Sequence, residues 1–238
     1  MSCRAAAGGM LLAAVLGAGS CGLHEERAAV SGARRVLGRE KKSTEELEKV
    51  RGRLRRVVEL KVEAASLMRE VNRLLGRKYL EMESYNLAEE ALLEAEHLAP
   101  ASPYIKKDLG ECYYYLATAA MEEDRRERCL ELSLGYFHKA VELKPDYVEA
   151  RYGLGLVLFF GYQDVGGAVD QMKRVVDAEP DNVDARFALG RFFYEQGELG
   201  KALNEYLEIT RILPRSSSRR ARVEENILQI NRELGTEE

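Results

Sequence analysis

The sequence predicts an all-α protein in which most of the chain is a solenoid of stacked helix pairs. Four of the Leu-Gly pairs, at residues 75–76, 109–110, 154–155 and 189–190, have glycines 34, 45 and 35 residues apart, and four prolines follow them at spacings of 45, 35 and 34 residues. A period near 34 residues is typical of helix-pair repeats, each of which packs only on its neighbours. The 238 residues are 46% hydrophobic and 32% charged, which excludes a disordered chain and a protein with several membrane spans.

The first 20 residues, 1–20, are predicted to form a secretory signal peptide. Residues 5–20 contain no charged side chain. A helix of that length spans about 24 Å, which is less than the ~30 Å hydrocarbon core of a membrane. The polar run from His24 to Arg27 follows directly, so a cleaved signal is favoured over an anchor helix.

The residues at the predicted cleavage site indicate a lipid anchor. Ala18, Gly19 and Ser20 directly precede Cys21. This run of small residues resembles the lipobox of bacterial lipoproteins, with Ala18 in place of the commoner leucine. The resemblance implies that Cys21 is acylated and that the mature chain is anchored in the bacterial cell envelope, facing the periplasm. Cleavage at the same bond without lipid attachment, which would give a secreted protein, is the alternative.

Residues 21–42 are expected to form a flexible basic linker behind the anchor. Residues 22–61 hold 12 Lys and Arg against 7 Asp and Glu, whereas residues 62–238 carry a net charge of −10. Basic residues beside a lipidated cysteine suit anionic lipid headgroups. A solvated helix face is the alternative interpretation of the same charges.

A long amphipathic segment precedes the repeats, and residues 43–68 are predicted to be its N-terminal helix. Ser43 and Glu46 form a capping box, and the apolar residues that follow keep a heptad spacing as far as Leu75. One helix of nearly 40 residues could continue into the first repeat, or a bend near Ala64 could fold the front half back as a cap. The apolar seam must be buried, either in such a cap or in a coiled coil that makes a homo-oligomer.

Residues 69–216 divide into four repeats, which cover 69–102, 103–147, 148–182 and 183–216. Each contains the Leu-Gly pair, an apolar or aromatic residue three positions after the glycine, an alanine in the second helix and a closing proline. This pattern resembles the tetratricopeptide repeat (TPR). The resemblance implies a right-handed α-solenoid of four helix-turn-helix repeats, whose first helices line a concave face.

Three features depart from the usual repeat. The second repeat is 11 residues too long, which predicts a hairpin that protrudes by about one and a half turns per helix, with Glu122–Arg126 at its tip. The third repeat has one additional residue, which we place in the turn between Gly161 and Asp164. The aromatic residue usual four positions before the glycine is replaced in every repeat, by Asn72, Lys106, Arg151 and Arg186.

The C-terminal residues, 217–238, are predicted to form a capping helix. Apolar side chains recur there at helical spacing and would cover the open face of the last repeat. They are Val223, Ile227, Ile230 and Leu234.

The chain lacks the motifs of catalytic and metal sites. Cys112 and Cys129 are the only cysteines left for the folded part, and helix geometry separates them by about 12 Å, so we expect buried thiols rather than a disulfide. The three histidines are scattered, which predicts no metal site. No nucleophile with a base and no phosphate loop occurs, so we predict neither an enzyme nor a cofactor. The net charge of −4 predicts no nucleic-acid partner.

The TPR resemblance implies a function in binding another envelope protein or peptide segment. Aromatic residues with arginine are typical of binding hot spots. Projecting the repeat onto this chain places a set of such residues along the concave groove. They are Arg73, Arg77, Lys107, Glu111, Tyr114, Tyr152, Leu156, Phe159, Phe187, Arg191 and Tyr194.

These expectations together describe a membrane-anchored periplasmic scaffold in a cell-envelope assembly. The alternative is an accessory TPR subunit of a periplasmic-binding-protein-dependent transporter of the TRAP-like type, in contact with a small ligand. An interior cluster of aromatic residues and arginines is compatible with both.

Overall fold

The computed structural model of the chain describes residues 24–39 and 43–235. The predicted signal peptide and Cys21 therefore lie outside the described residues. Each regular element in the described ranges is a helix, and none of these helices is both long and apolar enough to cross a membrane. The described residues divide into two compact units, with the boundary between Met68 and Arg69.

The described part of the first unit contains helix α1, residues 24–37, in the stretch where the sequence predicted a flexible linker. The linker prediction over 21–42 is wrong for these residues. Ala29 and Ala33, which lie one turn apart, are buried, and Leu60 of the next helix lines a cavity together with Ala29. Small side chains on one face let α1 lie close to the next helix. The prediction from the basic composition of the segment did not take this apolar face into account.

Helix α2 runs over Thr44–Glu81 as a single helix of 38 residues. The side chain of Ser43 accepts a hydrogen bond from the backbone N–H of Glu46 (3.1 Å), as the capping pattern predicts. Of the alternatives left open by the sequence, the structure shows the single continuous helix rather than two helices. The end of α2 serves as the first helix of the first repeat.

The second unit continues as a row of helices that pack mainly on their neighbours in sequence. This confirms the predicted all-α solenoid of helix pairs with a C-terminal capping helix. The elements are α3 (Tyr85–Leu98), α4 (Pro103–Ala119), α5 (Glu123–Leu143), α6 (Val148–Leu156) with a π-helical turn (Val157–Gly161), α7 (Val165–Ala178), α8 (Val183–Glu195), α9 (Leu199–Ile212) and α10 (Ser218–Leu234).

The glycines of the Leu-Gly pairs lie where the two helices of a repeat approach most closely. A Cβ atom on Gly110 would lie 2.9 Å from the ring of Phe137, and one on Gly190 would lie 2.9 Å from the ring of Tyr206. Any larger residue would force the aromatic ring to shift. The glycine of the repeat pattern is thus explained by the close packing of the two helices of a repeat.

The second repeat forms the long hairpin that its length predicts. Helix α4 has 17 residues against 13 in α8, and α5 has 21 against 14 in α9. The growth is therefore about one turn in α4 and two in α5, rather than equal in both. The predicted tip at Glu122–Arg126 is also displaced, because the turn occupies residues 120–122. Glu123 and Asp124 begin α5 instead, since carboxylates stabilise a helix N-terminus.

The third repeat does not place its additional residue in the turn, contrary to the sequence prediction. Helix α6 widens into the π-helical turn Val157–Gly161, and α7 begins only at Val165. A π turn accommodates one more residue per turn than an α-helix does, and such turns occur frequently at functional sites. The side chains that follow Val157 are thereby rotated relative to their equivalents in the other repeats.

Candidate functional site

A row of three cavities lies along the first helices of repeats two to four. The first cavity, about 210 Å³, is formed by α4, α5 and α6; the middle cavity, about 560 Å³, by α6, its π turn, α8 and α10; and the C-terminal cavity, about 390 Å³, by α8, α9 and α10. Tyr152 and Leu156 line the first and the middle cavity, whereas Phe187, Arg191 and Arg222 line the middle and the C-terminal cavity. Because neighbouring cavities share walls, we treat the three as one surface and call it the groove.

Eight of the eleven residues predicted from the sequence line the groove. They come from α4, α6 and α8, which are the first helices of their repeats. They are Lys107, Glu111, Tyr114, Tyr152, Leu156, Phe187, Arg191 and Tyr194.

The other three predicted residues lie elsewhere. Arg73 is bound to Asp108 in the core (Nε to Oδ2, 2.8 Å) and lies over the ring of Tyr104. Phe159 stacks on the buried ring of Phe192 with centroids 4.1 Å apart. Arg77 is exposed but lines none of the three cavities.

A buried ion network supports the N-terminal end of the groove. The carboxylate of Asp108 is fully buried and binds Arg73, while Lys107 Nζ lies 3.0 Å from its second oxygen in ion-pair contact. Lys107 also binds Glu111 (2.9 Å). Burial lowers the pKa of Lys107, but the two carboxylates outweigh burial and the net pKa is raised. The ammonium group is therefore charged at neutral pH and fixed at the rim of the first cavity.

The tyrosines of the first cavity present neutral hydroxyl groups. Burial raises the pKa of Tyr114, with a smaller contribution from Tyr115, and burial also raises the pKa of Tyr152. Both phenols stay protonated at neutral pH and can donate or accept a hydrogen bond. An apolar ring with one polar tip suits a surface that binds a peptide in contact with water.

The π turn adds a groove residue that the sequence prediction missed. Within the turn, Phe159 packs inward on Phe192, whereas Phe160 stays 41% exposed and lines the middle cavity; the two rings meet edge to face with centroids 4.9 Å apart. The guanidinium of Arg191 lies 5.0 Å from the centre of the Phe160 ring. The one additional residue in the third repeat was the signal for this arrangement, although the count alone does not distinguish a longer turn from a wider helix.

The capping helix α10 forms one wall of the middle and C-terminal cavities, which the sequence prediction also missed. Its apolar residues Val223 and Ile230 are buried, as expected of a cap. Polar residues along one edge of its apolar stripe line the groove, and their helical spacing beside the stripe was a usable signal. They are Ser218, Arg219, Arg222, Asn226 and Gln229.

The described residues contain no group of three or more His, Cys, Asp or Glu side chains that could hold a metal ion. Cys112 and Cys129 are free and buried. Burial raises the pKa of Cys112 to about 12, so its thiol is not the ionised form that acts as a nucleophile.

Comparison by sequence identifies part of the repeat region. Residues 163–217 match the family described as "Tetratricopeptide repeat". No curated protein matches the chain by sequence.

Comparison by structure covers most of the chain. A thermophilic TPR protein of Thermus thermophilus superposes with a TM-score of 0.60 at 21% identity, over 87% of this chain and 98% of that one. MamA from Desulfovibrio magneticus RS-1 gives 0.57 at 18% identity, over 71% and 86%, and a further MamA structure gives 0.58 at 20%, over 71% and 84%. The chain therefore has the fold of an all-α TPR solenoid.

Proposed function

We propose that this protein is a non-enzymatic scaffold that binds an extended segment of a partner protein along the groove. The observation that carries the proposal is the continuity of the groove across three repeats and α10, with walls shared by adjacent cavities. Its exposed or half-buried aromatic residues and arginines are the types that dominate binding energies at interfaces. The TPR fold is generally used for protein interaction rather than catalysis, which agrees with the absence of catalytic motifs from the sequence.

We further propose that the scaffold is held at a membrane of the bacterial envelope and acts in the periplasm. The proposal is supported by the uncharged stretch of residues 5–20 and the small residues before Cys21. In that setting the partner is another envelope protein, and the solenoid is tethered through its N-terminus.

The lipid anchor predicts an all-or-none effect of Cys21→Ala. The wild-type protein is expected to partition into the detergent phase and to incorporate labelled palmitate, because acylation requires the thiol. The alanine variant should lose both properties. Retention of label by the variant would contradict the anchor at this residue.

Photocrosslinking tests the groove as the binding surface. We expect p-benzoylphenylalanine in place of Phe160, which is 41% exposed in the groove, to crosslink a partner in intact cells. Leu207 on α9 is the matched control, because it is 39% exposed but lines none of the three cavities. Crosslinking from Leu207 and not from Phe160 would place the binding surface outside the groove.

A further inference from the structure

Arg191 on α8 and Arg222 on α10 line the same two cavities of the groove. In the part of the chain that the structure describes, neither guanidinium has a carboxylate within the 4.0 Å of an ion pair. Other arginines of the same helices differ in this respect. Arg219 binds Asp184, and Arg220 binds Glu224 at 2.8 Å.

The middle cavity is a positive site in a negatively charged unit. Its charged lining residues are three arginines and one aspartate, and Asp184 is already bound by Arg219. Residues 62–238 carry a net charge of −10, so the positive charge of this cavity is opposite in sign to the net charge of the region around it. A polyanion such as a nucleic acid would be repelled by the rest of the unit, whereas a single carboxylate would be attracted locally.

The aromatic residues hold Arg191 in position. Its guanidinium lies 5.0 Å from the ring centre of Phe160 and 5.7 Å from that of Phe159. Stacking on ring faces occupies the flat surface of the guanidinium and leaves its N–H groups at the edge free to bind an acceptor. An arginine that is already ordered loses less entropy when it binds a carboxylate.

Apolar side chains lie directly beside the two arginines. Leu156 and Phe187 are half-buried and line the middle cavity, and Phe192 closes it from the core. The cavity of about 560 Å³ has room for a large side chain next to the anion. A bound segment would therefore place an acidic group and an apolar group side by side.

We propose that the groove recognises a partner segment in which an aspartate or glutamate is adjacent to a large apolar residue. The carboxylate binds Arg191 and Arg222, and the apolar side chain enters the middle cavity. This inference rests on the proposed function and specifies the chemistry of the segment. It also makes α10 a specificity element as well as a cap, because α10 supplies Arg222.

The test is a selection of 12-residue peptides from a random phage-displayed library on the immobilised full chain. We expect the selected peptides to carry an acidic residue next to a large apolar one. Arg191 and Arg222 are exposed in the free protein, and in the complex the bound segment would shield the ion pair from water. Arg191→Gln and Arg222→Gln should therefore each weaken peptide binding at least tenfold. Arg211→Gln, an exposed change of the same charge on α9, should leave binding unchanged.

Other outcomes separate this inference from the proposed function. The selected peptides could bind the Tyr152→Ala variant more weakly than wild type, which would place them in the groove. If such peptides lack an acidic residue and bind both glutamine variants as tightly as wild type, the inference is overturned and groove binding stands. Complete displacement of the peptide by millimolar free glutamate would indicate a small carboxylate ligand and would also overturn it. Failure to obtain any peptide sensitive to Tyr152→Ala would count against the proposed function itself.

Discussion

Truncation of Phe137 to alanine is expected to lower the free energy of unfolding by about 3 to 5 kcal/mol. The side chain is 3% exposed, and its ring occupies the space in front of two glycines. A Cβ atom would lie 2.9 Å from the ring if placed on Gly110 and 2.3 Å from it if placed on Gly153. The ring thus fills the junction between the second and the third repeat, and its removal would leave a cavity between their helices.

Thermal unfolding followed by circular dichroism measures this effect. A loss of this size corresponds to a fall in Tm of roughly 6 to 20 °C for a unit of this length. Phe160→Ala is the matched control, because the same side chain is removed from a site that is 41% exposed. Similar Tm values for the two variants would contradict the assignment of Phe137 to the core and Phe160 to the groove.

Asp108→Ala is expected to destabilise the protein by a similar amount, about 3 to 5 kcal/mol. The variant removes the buried carboxylate that is shared by Arg73 and Lys107, whose own side chains are 19% and 17% exposed. Each cation then keeps only a more exposed carboxylate, Glu70 at 3.7 Å from Arg73 and Glu111 at 2.9 Å from Lys107. A cation that is mostly removed from water and has lost its buried partner is costly.

Asp184→Ala is the control for this effect. Asp184 also binds an arginine, Arg219, but its side chain is 66% exposed and Arg219 is 52% exposed. Exposed ion pairs contribute about 0 to 1 kcal/mol because water and salt screen them. Urea unfolding of both variants measures their free energies of unfolding. Equal values for Asp108→Ala and Asp184→Ala would show that the buried ion network does not stabilise the fold at the N-terminal end of the groove.

The sequence predicts the solenoid well because its landmarks are packing requirements of single positions. Gly190 must be small because Tyr206 packs against it, and Pro214 directly follows Leu213, the residue that caps the end of α9. Such contacts recur in every repeat, so they appear in the sequence as a period. The groove residues on α4, α6 and α8 follow from the same period, since first helices occupy equivalent positions.

The residues that replace the usual aromatic residue four positions before the glycine show what the repeat period cannot predict. Arg151 donates to the backbone carbonyl of Pro145 (2.9 Å) and to Gln171, and Arg186 donates to that of Pro180 (2.6 Å) and to Glu205. Each arginine therefore ties its helix to the preceding turn and to the second helix of its own repeat. The sequence shows that the aromatic residue is absent, but the partners of its replacement depend on the folded backbone.

The π turn and α1 could not be predicted for a related reason. One additional residue can lengthen a turn or widen a helix, and the stack of Phe159 on Phe192 accompanies the widened helix. The segment of residues 24–37 is basic and resembles a linker by composition, whereas in the structure it is a helix whose Ala29 is buried and lines a cavity together with Leu60 of α2. In both places a tertiary contact outweighs the local pattern.

The central claim is that a partner segment binds in the groove, and the most direct measurement is an affinity. The protein crosslinked from position 160 should bind Phe160→Ala about 30-fold more weakly than wild type, as expected for an interface hot spot. Leu207→Ala, at the matched control position on α9, should bind like wild type. Equal dissociation constants for wild type and Phe160→Ala, combined with weaker binding by Leu207→Ala, would contradict the claim.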